Sequence, residues 1–165
     1  MFKEVIVTSM LILEVILGLI IAVFFYNLIH HFLVVLPDRR EQRQTKRQSD
    51  LVVPKIINAL LNEKLISRSP KIINSHSLSS VWGRSIFAYE YVLALNLNQQ
   101  QLIRFRDRFE QVLLTYCRNH HLTTKHGLQL YLVSEVWVHN HHVHLTIAAV
   151  KNSATIDYLK DVHRL

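Results

Sequence analysis

Residues 5 to 36 read VIVTSMLILEVILGLIIAVFFYNLIHHFLVVL, thirty-two positions with one formal charge, Glu14, and a stop at Pro37. A helix needs about 20 apolar residues to cross a bilayer, and at about 1.5 Å per residue this run extends close to 48 Å against a hydrocarbon core of about 30 Å. The core is therefore expected near residues 8 to 29, with Tyr26, Asn27, His30 and His31 at its polar and aromatic rim. A cleaved leader would have an apolar stretch of about 7 to 15 residues and a small-x-small site. This run is longer and ends Leu36-Pro37-Asp38-Arg39. A core helix of a soluble domain would keep a polar face, which is missing here. The reading is a transmembrane anchor over residues 1 to 36.

The flanks give its direction. After the anchor stand Arg39, Arg40, Arg43, Lys46 and Arg47, and before it only Lys3. Lysine and arginine near a span favour the cytoplasmic side, so a single-pass protein of the inner membrane with its carboxy-terminal domain in the cytoplasm is expected. Glu14 is costly in hydrocarbon unless it lies shallow or faces protein. Gly18, one turn further on, shares its face and permits close approach of a second helix, which leaves self-association open.

Residues 37 to 50, PDRREQRQTKRQSD, have no apolar side chain after Pro37 and read as a basic, solvated linker whose five cations suit anionic lipid. Residues 51 to 165 form the remaining domain, with 13 Lys and Arg against 7 Asp and Glu, a balance of +6. Asp50 is expected to cap a helix bearing Val53, Ile56, Ile57, Leu60, Leu61 and Leu65, with Pro54 in its first turn. Ser67 to Ser80 reads as turns. The stretch 85–97, SIFAYEYVLALNL, alternates and predicts a long strand with Phe87, Tyr89, Tyr91, Leu93, Leu95 and Leu97 towards the core. Asn98 then caps a helix whose apolar stripe runs through Leu102, Phe105, Phe109, Val112, Leu113 and Tyr116. A hairpin around residues 139 to 141 follows, then a short helix from Ser153 burying Ile156, Leu159 and Val162. The fold class is α+β: a transmembrane helix followed by a two-layer domain ordered helix-strand-helix-strand-strand-helix, its sheet mostly antiparallel.

Two constellations stand out. If Asn140 and His141 make a two-residue turn, His139 faces His142, Trp137 faces His144 and Glu135 faces Thr146 on one side of the sheet. Three imidazoles so placed are candidate ligands for Zn²⁺, although exposed polar residues at a hairpin tip account for the pattern more simply. His120, His121 and His126 suit the end of the preceding helix and the loop that follows it. Arg104, Arg106, Arg108 and Arg118 give that helix a cationic outer side for nucleic-acid phosphates or anionic lipid, unless pairs such as Arg106 with Glu110 satisfy them internally.

No phosphate loop, GxSxG, HExxH or CxxC is present, and Cys117 has no partner for a disulfide. No cofactor is implied. The expected function is a non-enzymatic docking or accessory subunit whose basic domain recruits partners at the inner membrane surface. One alternative is a nucleic-acid-binding accessory protein of a DNA-transfer or replication apparatus; another is a metal-dependent enzyme built on His139, His142 and His144. In layout alone, an anchor with a small basic domain, the chain resembles accessory subunits of bacterial membrane complexes, including those handling DNA transfer.

Overall fold

The structure, a computed structural model, describes residues 2–63, 66, 69–83, 85–124, 127 and 129–164. Leu65 and His126, expected in a helix and a loop, lie outside the described residues. Two compact units result, Met1–Glu41 and Gln42–Leu165.

The first unit holds α1 (Phe2–His30), a π-helical turn (His31–Val35) and the start of α2 (Leu36–Asn62). Among the described residues, one helix is long and apolar enough to span a membrane, and no part of its most apolar stretch is buried. Every residue from 13 to 33 is exposed. Glu14 and Gly18 sit four residues apart on α1, hence on one face. Both are exposed, and nothing within 4 Å would meet a Cβ at Gly18.

The second unit corrects the linker. Residues 37–50 are helical, and from Gln42 they belong to the folded domain, where Thr45 and Ser49 are buried together with Val52, Val53, Ile56, Ile57 and Leu60. The spacing is that of one helix face, but its first two positions are small hydroxyl residues, which hydropathy does not register. Asp50 accordingly caps nothing, and Pro54 falls inside the helix, where its missing N–H forgoes one backbone bond.

Four strands form an antiparallel sheet in the order β1-β2-β4-β3: β1 (Ile72–Ser77), β2 (Ala88–Leu93), β3 (Tyr131–His139) and β4 (His142–Ala149). A short helix α3 (Ser79–Trp82) links β1 to β2, and α4 (Gln99–Asn119) links β2 to β3. Two helix–hairpin halves, α2-β1-β2 and α4-β3-β4, thus meet through β2 and β4. Strand β1 lies in the segment expected as turns. Its sequence, IINSHS, lacks alternation because it is an edge strand, and edges are commonly blunted with polar residues. Leu95 and Leu97 lie beyond the end of β2, yet both still pack on the core.

Alternation in β2 separates two cores. Phe87, Tyr89, Tyr91 and Leu93 face α2 and α4, packing with Phe105, Phe109 and Leu113. On the other face Ile86 and Ala88 meet Ala148, Tyr158 and Leu159, the last two from α5 (Ser153–Arg164). Helices therefore lie on both faces, a third layer where two were expected, because Ile86, Ala88, Ala148 and Val150 make one end of the second face apolar as well. Ile156 and Val162 pack half-buried beside Leu159 as expected.

Local signals were accurate at two points. Asn98 Oδ1 accepts from Gln101 N at 2.9 Å and Gln101 Oε1 from Asn98 N at 3.0 Å, a reciprocal cap for α4. Asn140 (φ 48°) and His141 (φ 61°) both take the left-handed backbone that a tight two-residue hairpin turn requires. The resulting register pairs His139 with His142, Trp137 with His144 and Glu135 with Thr146, and a bulge near Ser134 shifts it further along.

Candidate functional site

At about 100° per residue, Arg104, Arg108 and Arg118 share one stripe of α4 with Gln111 and Thr115, whereas Arg106, two residues from Arg104, lies on the opposite flank. Arg106 is half-buried, and no ion pair with Glu110 forms among the described residues. Four arginines do not, then, form one cationic side. Nor is Arg108 available. Its Nε and Nη2 donate to the two carboxylate oxygens of Glu63 at 2.6 and 2.7 Å, and its Nη1 to Gln111 Oε1 at 2.8 Å. This planar fork holds the Glu63 carboxyl below its ordinary pKa and the guanidinium above its own. Arg104 and Arg118 are exposed. Along the stripe runs an open groove of about 260 Å³, lined by Glu63, Arg108, Gln111, Thr115, Tyr116 and Asn119 among others. Nearby, Lys55 Nζ donates to Tyr116 Oη at 3.2 Å.

On α2, Arg39, Arg40, Arg43 and Arg47 are exposed, but Lys46, expected to join them in a lipid contact, is half-buried and engaged within the domain. Its ammonium donates to Asp50 at 2.9 and 3.0 Å and to Ser75 Oγ at 2.8 Å, and stands 5.9 Å from the Tyr91 ring centroid. Tyr91 Oη in turn bonds Ser49 Oγ at 2.8 Å and Asp50 Oδ1 at 2.9 Å. Burial raises the Tyr91 pKa, so its hydroxyl stays protonated to bridge the helix and the sheet.

The second face of the sheet is polar beyond the end covered by α5. The register sets out one row across the strands, His76–Glu90–Thr146–Glu135, and a second, Asn74–Val92–His144–Trp137. Glu90 Oε1 meets His144 Nδ1 at 2.5 Å and Glu90 Oε2 meets His76 Nε2 at 3.2 Å. The Trp137 ring stacks on His144 at 5.1 Å, and His139 stands edge-on to it at 6.0 Å. Among the described residues, no three His, Cys, Asp or Glu side chains gather around a point that would hold a metal ion. His139, His142 and His144 share a face but do not close into a three-ligand site.

Ser134 Oγ bonds the Thr146 carbonyl and Tyr158 Oη, each at 3.3 Å. Cys117 is buried, and burial raises its thiol pKa, so it lacks the exposed thiolate of a nucleophile.

Tyr131 is 1% exposed, its hydroxyl has no hydrogen-bond partner, and burial pushes its pKa up to about 12. The folded state thus holds this proton more tightly than the unfolded state. The linked stability, on the order of 2–3 kcal/mol, is present below pH about 10 and is lost as the pH rises towards 12. Tyr131→Phe is expected to leave neutral-pH stability unchanged or higher, since it removes an unpaired buried hydroxyl. It should also flatten the alkaline decline, as read by urea unfolding at pH 8 and pH 11; an unchanged decline would count against the assignment.

No family model, curated protein or solved structure matches the chain. Function must then follow from geometry. Sequence reasoning missed His76, hidden in a segment without alternation, and the buried pair Thr45 and Ser49. A signal did exist for Glu90: a carboxylate mid-strand among Ala88, Val92 and aromatics demands a partner.

Proposed function

We propose that the chain is a membrane-anchored, non-enzymatic docking subunit whose basic domain recruits acidic partners at the inner membrane surface. The observation that carries this reading is the stretch of α1 from residue 13 to 30, apolar and exposed around its whole circumference. Such a surface far exceeds the few hundred Å² that soluble proteins leave bare, and a bilayer is the solvent that suits it. The excess of Arg39, Arg40, Arg43 and Arg47 over Lys3 supports a cytoplasmic domain. Exposed Arg104 and Arg118, flanking the groove on α4, suit an acidic surface. An anchored domain also meets its partners at raised effective concentration, so weak contacts suffice.

Orientation is testable because Cys117 is buried and contributes little background. An impermeant maleimide applied to intact cells is expected to label Phe2→Cys and to reach Ser153→Cys only after permeabilisation, whereas wild type stays unlabelled until denatured. The reverse pattern overturns the topology. For the docking role, a partner purified with the full chain from native membranes is expected to dissociate when Arg104 and Arg118 are both changed to Glu. Retention would remove the α4 surface from the proposal.

The nucleic-acid reading uses the same stripe, and salt separates the two. Phosphate contacts give log K a slope near −0.9 per phosphate neutralised on a duplex. With Arg108 held by Glu63, Arg108→Ala is expected to leave that slope unchanged, while Arg104→Ala and Arg118→Ala each lower it by about one unit. Binding of the full chain to anionic vesicles without any affinity for DNA favours docking at lipid.

A further inference from the structure

The polar end of the second sheet face supports an inference independent of the docking reading. Glu90 is a carboxylate with 12% of its side chain exposed, held from both sides by His76 and His144. A carboxylate only accepts, so His144 Nδ1 carries the proton of this contact, and in the neutral ring that leaves the lone pair on Nε2. The same carboxylate–imidazole arrangement orients histidines that ligate metals, fixing the tautomer and raising the basicity of the outer nitrogen. Stacking on Trp137 at an interplanar angle of 19° fixes the ring plane as well.

A second imidazole is in range. With metal–nitrogen bonds of about 2.0–2.1 Å, each ring centroid stands about 3.2 Å from a shared ion, so two rings around one ion are about 4.5 Å apart at a right angle and about 6.4 Å apart when opposite. The His139 and His144 centroids are 6.0 Å apart with ring planes at 67°. The turn at Asn140 and His141 holds both on one face, and a slip of one residue would separate them.

We propose that His139 and His144 are the two protein ligands of a surface site for a divalent transition ion, Zn²⁺ or, more tightly, Cu²⁺, with solvent completing the coordination shell. The ion class follows from the donors: neutral imidazoles suit zinc and copper, and Cu²⁺ stands above Zn²⁺ in the usual order of affinities. Glu90 acts as a positioning residue, and His76 steadies its second oxygen. No third protein ligand is required, in keeping with the absence of a three-ligand cluster among the described residues.

The test is titration of the full chain in detergent micelles with Zn²⁺ by calorimetry and with Cu²⁺ by electron paramagnetic resonance. One ion per chain is expected, with nitrogen couplings from two imidazoles in the copper spectrum. His139→Ala and His144→Ala should each weaken binding at least tenfold, and Glu90→Gln, which keeps size but loses charge, by about 10- to 100-fold. His120→Ala, an exposed imidazole at the end of α4, should change nothing. His139 is exposed at the hairpin tip, so its variant decides the matter even if His144→Ala unfolds. No stoichiometric binding, or binding unaffected by His139→Ala, overturns the site.

Discussion

Phe109→Ala is expected to cost about 3–5 kcal/mol of unfolding free energy, the usual range for deleting a fully buried ring. Phe109 is 0% exposed, and its ring stands 5.8 Å from that of Phe105 in the core between α4 and the sheet. Total stability of a domain this size is about 5–15 kcal/mol, so the change removes a large share of it. Both tryptophans, Trp82 and Trp137, lie in the domain and none in α1, so their fluorescence during urea unfolding in micelles reports the domain alone. Ile103, also on α4 but 55% exposed, provides the contrast: Ile103→Ala should stay within about 0.5 kcal/mol. A cost below about 1 kcal/mol at Phe109 would show that α4 does not pack on the sheet through this ring.

Phe109 also illustrates what the sequence made legible. Its stripe on α4 repeats every three to four residues, the cap at Asn98 is local chemistry, and the Asn140–His141 turn needs only its own two residues. Each signal is confined to one element, so each survives reading in one dimension. The failures share the opposite property. β1 owes its existence to pairing with β2, since IINSHS has little strand character of its own. The engagement of Arg108 depends on Glu63, forty-five positions away. Arg106 is the exception, because helix periodicity alone puts it on a different flank from the other arginines. The Glu90–His144 contact lay between these extremes: the hairpin register placed His144 beside Trp137, but the pairing of β2 with β4 that brought Glu90 to it is a tertiary fact.

The boundary between the apolar helix and the domain is where sequence and structure differ most, and one substitution separates the two readings. A solvated linker tolerates almost any polar side chain, so on that reading Ser49→Arg changes stability by no more than about 0.5 kcal/mol. In the structure Ser49 is 1% exposed, and its hydroxyl lies 2.8 Å from Tyr91 Oη. An arginine there displaces that bond and brings a charge into the interface of α2 with the sheet. Asp50 lies next to it in sequence but already takes Lys46 and Tyr91. An uncompensated buried charge costs about 3–5 kcal/mol, and that is the loss expected for Ser49→Arg in the full chain. Ser49→Ala calibrates the hydroxyl alone at about 1 kcal/mol, the net worth of one hydrogen bond. Gln48→Arg, one residue away on an exposed position of the same helix, should be silent. If Ser49→Arg and Gln48→Arg behave alike, residues 42–50 tether the domain without belonging to it; the burial of Thr45 and Ser49 beside Val52 and Ile56 requires that they differ.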